Sequence, residues 1–71
     1  MPSREEIIRK INKAAKRHGW ELEFVRQGGN HTVFDLDGHM VVIGRHRQFE
    51  IRYATMIYKQ CEPKLGKDWW R

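Results

Sequence analysis

The chain has 71 residues, one cysteine and fourteen Lys and Arg against nine Asp and Glu, a formal net charge of +5. A chain this short makes one domain with a small core, which leaves no room for an enclosed dinucleotide fold, so function is expected on the surface, in turns and grooves. The single cysteine excludes an internal disulfide framework, no signal-peptide pattern opens the chain, and the longest apolar run, Met40 to Ile43, is too short for a bilayer; a cytoplasmic protein is expected.

Ser3-Arg4-Glu5-Glu6 reads as a capping box, in which a serine hydroxyl and a glutamate carboxylate satisfy orphan helix amides. Ile7, Ile8, Ile11, Ala14 and Ala15 recur at helical spacing, and Arg9, Lys10, Lys13, Lys16 and Arg17 take much of the other face. Gly19 supplies the stop, so a helix is predicted over about residues 4 to 18. Trp20 to Arg26 alternates with period two, placing Trp20, Leu22 and Phe24 on one face of a strand. Turn formers follow at Gln27-Gly28-Gly29-Asn30, then a second strand from His31 to Leu36. Asp37-Gly38 is a hairpin signal, and His39 to Ile43 is the third strand.

Gly44 to Gln48 is polar and irregular, so a loop is expected there. A second helix is predicted from about Glu50 to Cys61, with Ile51, Ala54, Ile57, Tyr58 and Cys61 on its apolar stripe and Phe49 at its entrance. Pro63 and Gly66 are expected to end regular structure, leaving a tail whose Trp69 and Trp70 either fold back onto the core, the favoured reading, or stand exposed as an anchor for a protein partner. The order is therefore α-β-β-β-α, an α+β fold with a three-stranded antiparallel meander. One sheet face buries both helical stripes, an arrangement that resembles double-stranded-RNA-binding domains.

The positive charge attracts polyanions, RNA, DNA or an acidic protein alike. Of the four histidines, His18 falls in the last turn of the first helix, where a cation suits the dipole, and His39 reads as a strand residue beside the hairpin turn. His31 differs because it follows Gly28, Gly29 and Asn30 where the chain leaves a turn. Glycines there permit close approach of a phosphate, Asn30 can donate and accept hydrogen bonds, and an imidazole can exchange protons near neutral pH. Read bottom-up, that pattern fits an ordinary hairpin turn as well as a catalytic one. The spacings among His31, His39, His46 and Cys61 match no zinc motif, so no metal or other cofactor is expected. Cys61, on an apolar stripe, reads as a small buried hydrophobe.

The block Val25-Arg26-Gln27-Gly28-Gly29-Asn30-His31-Thr32-Val33-Phe34, followed by Asp37-Gly38, Val41-Val42-Ile43 and the loop containing His46, resembles the HicA toxin family of toxin–antitoxin systems. The resemblance covers about residues 4 to 61 of a single domain, residues 62 to 71 being the tail, and includes the Gly19-Trp20 that ends the first helix. The family's Gly-Ser-His turn reads Gly29-Asn30-His31 here, and Gly44-Arg45-His46 stands where the family often has Pro-His or Pro-x-His. The resemblance implies a metal-independent endoribonuclease that cleaves mRNA, with His31 as catalytic residue and a HicB-type antitoxin as protein partner. Arg26, Gly28, Gly29, Asn30, Arg45, His46 and Arg47 are the expected RNA-binding residues. The alternative is a non-catalytic RNA-binding module of the same fold, in which His31 only contacts phosphate.

Overall fold

The computed structural model describes residues 1–71. The first helix, α1 (Arg4–Lys16), starts at Ser3, whose hydroxyl accepts from the Glu6 amide at 3.1 Å. It closes through Gly19, held at φ +77°, where only glycine avoids a Cβ penalty. The Gly19 amide donates to the Lys16 carbonyl and the Trp20 amide to the Ala15 carbonyl, both at 3.0 Å, a paired closure that takes the last turn to His18. Ile7, Ile11 and Ala15 are fully buried along one stripe.

Three antiparallel strands follow in spatial order, β1 (Leu22–Gln27), β2 (His31–Leu36) and β3 (His39–Gly44). The β2–β3 turn has both Asp37 and Gly38 at positive φ, 48° and 88°, which matches the right-handed twist of the strands it joins. The Asp35 carboxylate locks it by accepting from the Gly38 amide at 3.1 Å. Phe34 and Leu36 of β2 share the core face with Val41 and Ile43 of β3.

The edge strand β1 behaves differently from simple alternation. Leu22 pairs with Leu36 and Phe24 with Phe34, but a bulge at Val25 makes Arg26 the partner of Val33. Strict period two would turn Arg26 to the core; the extra residue turns it to the open face instead. Phe24 lies at the sheet margin, 62% exposed, with its ring edge-on to Phe34.

The second helix, α2 (Ile51–Gln60), buries Ala54, Ile57 and Tyr58, whereas Ile51, expected on the stripe, is exposed in the first turn. Both helices join one cluster with the core-face strand residues, Phe49 and Cys61, so they lie on the same side of the sheet. The outer edge of β3 is not left open. The Gln60 side-chain amide accepts from the Val42 amide at 3.0 Å and donates to the Val42 carbonyl at 2.8 Å, imitating a neighbouring strand.

The C-terminal residues are more ordered than the sequence suggests. Pro63 sits in the first turn of a short helix, α3 (Glu62–Leu65), where its missing amide proton costs nothing. Trp69 and Trp70 fold back as expected: the Trp69 indole donates to the Tyr58 carbonyl at 2.8 Å, and Trp70 stacks on the Tyr58 ring. Lys64 pairs with Asp37 at 2.8 Å, tying α3 to the hairpin turn. No helix is long and apolar enough to cross a membrane.

Candidate functional site

The turn before His31 is closed by the Gly28 amide, which donates to the His31 carbonyl at 2.8 Å. Neither Gly28 nor Gly29 has a positive φ; their contribution is open space, since a Cβ on Gly29 would meet nothing within 4 Å. The next loop is stitched to this turn. The Arg45 amide donates to the Asn30 carbonyl at 3.1 Å, and its guanidinium to the Gly29 carbonyl at 3.3 Å.

His31 is exposed at the start of β2 and pairs across the ladder with Gly44. Cross-strand partners present their side chains side by side on one face, so a glycine opposite His31 leaves a gap beside the imidazole. Other groups gather around that gap. A Cβ at Gly44 would lie 3.5 Å from the Phe49 ring, 3.6 Å from the His46 ring and 3.7 Å from the Tyr53 hydroxyl. Phe49 stacks on Tyr53 with centroids 5.3 Å apart and meets His46 edge-on at 6.1 Å, so one buried ring steadies both polar aromatics. Asn30, His31, Gly44, Arg45, His46 and Tyr53 together line a cleft of about 450 Å³.

A second cleft, of about 780 Å³, continues from Arg45 and His46 to Arg47, Gln48 and the start of α1 at Ser3, Arg4 and Glu5. Its walls carry three arginines against one glutamate and no hydrophobic residue. The loop between β3 and α2 is held in place by the N-terminal residues. Ser3 bridges Gln48, the Arg4 amide donates to the Arg47 carbonyl at 2.8 Å, and the Phe49 amide to the Pro2 carbonyl at 3.0 Å. The Arg4 side chain reaches the end of the sheet, where its guanidinium donates to the Gly44 carbonyl at 3.0 Å and to the buried Thr32 hydroxyl at 2.8 Å.

Of the residues singled out from sequence, Asn30, His31, Arg45 and His46 come together, with Arg47 in the adjoining cleft. Gly28 and Gly29 shape the turn. The bulge turns Arg26 to the sheet face that Val33 and His31 share, yet Arg26 lines neither cleft. Sequence reasoning missed Arg4 and Tyr53. Arg4 has a faint signal, because a cation in the first turn opposes the helix dipole and needs another reason to be there. Tyr53 has one too, as an aromatic four residues after Phe49.

The remaining reactive groups lie elsewhere. Burial pushes the Cys61 thiol up to about 12, so it is protonated at neutral pH, and it donates to the Ile57 carbonyl. His39 is engaged through Nε2 with the Gln60 carbonyl at 2.7 Å, and His18 stacks on Trp20. No three His, Cys, Asp or Glu side chains gather in a metal-binding group. Comparisons of the chain with protein-family models, with curated proteins and with solved structures find no match.

Proposed function

We propose that this protein is a metal-independent endoribonuclease of the HicA toxin type, acting on mRNA in the cytoplasm and neutralised by a HicB-type antitoxin that covers the cleft. The observation that carries the reading is the meeting of His31, Arg45, His46 and Tyr53 around the side-chain-free position Gly44. An exposed imidazole, a guanidinium and two further proton-bearing aromatics in one cleft form a set suited to phosphodiester transesterification.

In this reading His31 takes the proton from a ribose 2′-hydroxyl. The 2′-oxygen attacks the adjacent phosphorus, the bond from phosphorus to the 5′-oxygen breaks, and a 2′,3′-cyclic phosphate remains. Arg45 faces the charge that develops on the phosphoryl oxygens, and the arginines of the adjoining cleft hold neighbouring phosphates. The 5′-oxygen leaves with a proton from His46 or Tyr53, the two donors that approach Gly44. DNA lacks the attacking hydroxyl and is not cut.

The test is incubation of the purified protein with RNA in excess chelator, followed by mapping of the ends. Cyclic phosphate and 5′-hydroxyl ends, abolished in His31→Ala with RNA affinity retained, are expected. RNA left intact by the wild-type chain would sink the proposal and leave the non-catalytic binding module.

A further inference from the structure

The outer face of α1 carries Arg9, Lys10, Lys13 and Arg17, and the folded-back tail brings Trp69, Trp70 and Arg71 beside them. Together they bound a groove of about 380 Å³ that contains one acid, Glu6. The chain makes only two ion pairs, Lys64 with Asp37 and Arg71 with Asp68, so none of the four α1 cations is paired with a carboxylate, although Lys10 lies over the Tyr58 ring at 5.4 Å. Arg9, Lys13 and Arg17 follow one another at four-residue spacing, where like charges repel and a helix needing only to fold would alternate signs. The fold also holds an aromatic wall next to this charge. Trp69 is fixed through its indole nitrogen to Tyr58, Trp70 is stacked on Tyr58 and partly exposed, and the Arg71 guanidinium lies 5.7 Å from the Trp70 ring centre.

We propose that this groove is a second binding site, which takes a single-stranded RNA segment by placing phosphates on Arg9, Lys13 and Arg17 and stacking a base on Trp70. Cations alone would suit any polyanion; a partly exposed, rigidly backed indole beside them selects a ligand with planar bases free of a duplex. α1 itself links the two sites, its start lining the cleft at Arg4 and its outer face the groove as far as Arg17, a rise of roughly 20 Å. One strand can therefore be held along α1 while another part of it enters the cleft. The inference borrows from the proposed function only that the protein meets RNA.

The experiment titrates the full chain, as His31→Ala so that RNA stays intact, with a short single-stranded RNA while following tryptophan fluorescence. Inorganic polyphosphate and polyglutamate are titrated in parallel. RNA is expected to quench the fluorescence, and the other two are not. The combined variant R9Q, K13Q, R17Q keeps good helix formers at exposed positions. It should lose about tenfold or more in RNA affinity and about 2 from the slope of log affinity against log salt, as three lost single-strand phosphate contacts require. The control variant R52Q, K59Q, K67Q removes the same charge outside the groove and should lose far less. Trp70→Leu should weaken RNA about fivefold or more and leave polyphosphate unchanged; should it fail to fold by circular dichroism, the helix variant and the quenching decide. Equal losses in the two triple variants, or polyphosphate or polyglutamate binding as tightly as RNA, would overturn the proposal. Intact binding without cleavage by the wild-type chain would sink the nuclease reading alone, and cleavage with no groove effect would sink only the second site.

Discussion

Gly44 stands directly across the β2–β3 ladder from His31, and the space its absent side chain leaves is approached by the Tyr53 hydroxyl to 3.7 Å from where a Cβ would be. Two residues on separate strands thus make a cleft that neither makes alone. In Gly44→Ala the new methyl meets only ordinary van der Waals contacts, and the position has no positive φ. Stability should change by less than about 1 kcal/mol. Cleavage of RNA should fall on the order of ten- to a hundredfold, because the methyl occupies the gap between imidazole and phenol. Paired thermal melts and single-turnover cleavage check both halves, and full activity in Gly44→Ala would remove Gly44 from the site.

Arg4 joins the start of α1 to the ends of β2 and β3 through Thr32 and Gly44. Arg4→Ala leaves the Thr32 hydroxyl, 1% exposed, without that partner, which costs about 1–3 kcal/mol. Relief of an unfavourable cation at a helix N-terminus returns only about 0.3–1 kcal/mol, so the net effect is destabilising. Arg4→Lys should not restore the loss, since one ammonium cannot reproduce the planar fork that reaches both oxygens. Urea denaturation of the three proteins measures this directly.

Gln60 covers the free edge of β3 by pairing both ways with Val42. Gln60→Ala should cost about 1–2 kcal/mol for two part-buried hydrogen bonds and expose a strand edge to other chains. Gln60→Glu keeps the acceptor but sets a carboxylate oxygen against the Val42 carbonyl, so it should cost at least as much as Gln60→Ala. Denaturant midpoints give the energetic part; size-exclusion chromatography at rising concentration gives the association, which should appear in Gln60→Ala and not in the wild type.

Cys61 and Tyr58 make the fold sensitive to alkali. Burial raises the Cys61 thiol from 9.0 to about 12, and burial, with a smaller contribution from the Glu6 carboxylate, raises Tyr58 above its ordinary value. Both are acids whose neutral form the folded state favours, so the unfolded chain loses its protons first as pH rises. Their contribution is complete below about pH 9 and is lost above it, with a slope of up to about 1.4 kcal/mol per pH unit for the thiol alone. Cys61→Ala should flatten the decline between pH 9 and pH 12 in denaturant titrations. At neutral pH the thiol should react with a disulfide reagent only on unfolding.

The elements that could be read along the chain are those governed by neighbours in sequence. Ser3, Gly19 and the Ile7–Ile11–Ala15 stripe define α1 within one stretch, and Asp37-Gly38 defines its hairpin with two residues. The reading failed where a long-range contact overrides a local pattern. Phe24 does share its face with Leu22, as the alternation predicts, but its place on an edge strand leaves it exposed, and the alternation breaks only after it, at the Val25 bulge. Ile51 has the spacing of a core residue, but the loop delivers it to the exposed first turn of α2. Pro63 looked like the end of structure and instead begins α3.

From sequence alone came the α-β-β-β-α order, the excess positive charge and the choice of His31, Arg45 and His46, because hydrophobic period, turn chemistry and residue type are properties of a linear string. The tertiary structure decided the company His31 keeps. Gly44 faces it because the β2–β3 register is set by a turn six residues away, and Tyr53 reaches it because α2 packs its stripe across the same sheet. Arg4 closes the site because the N-terminal residues pair with the loop before α2, and one bulged residue turns Arg26 to His31's face of the sheet while leaving it outside both clefts. Each of these depends on distances between segments far apart in the chain, which only the closing of a shared core can bring within reach.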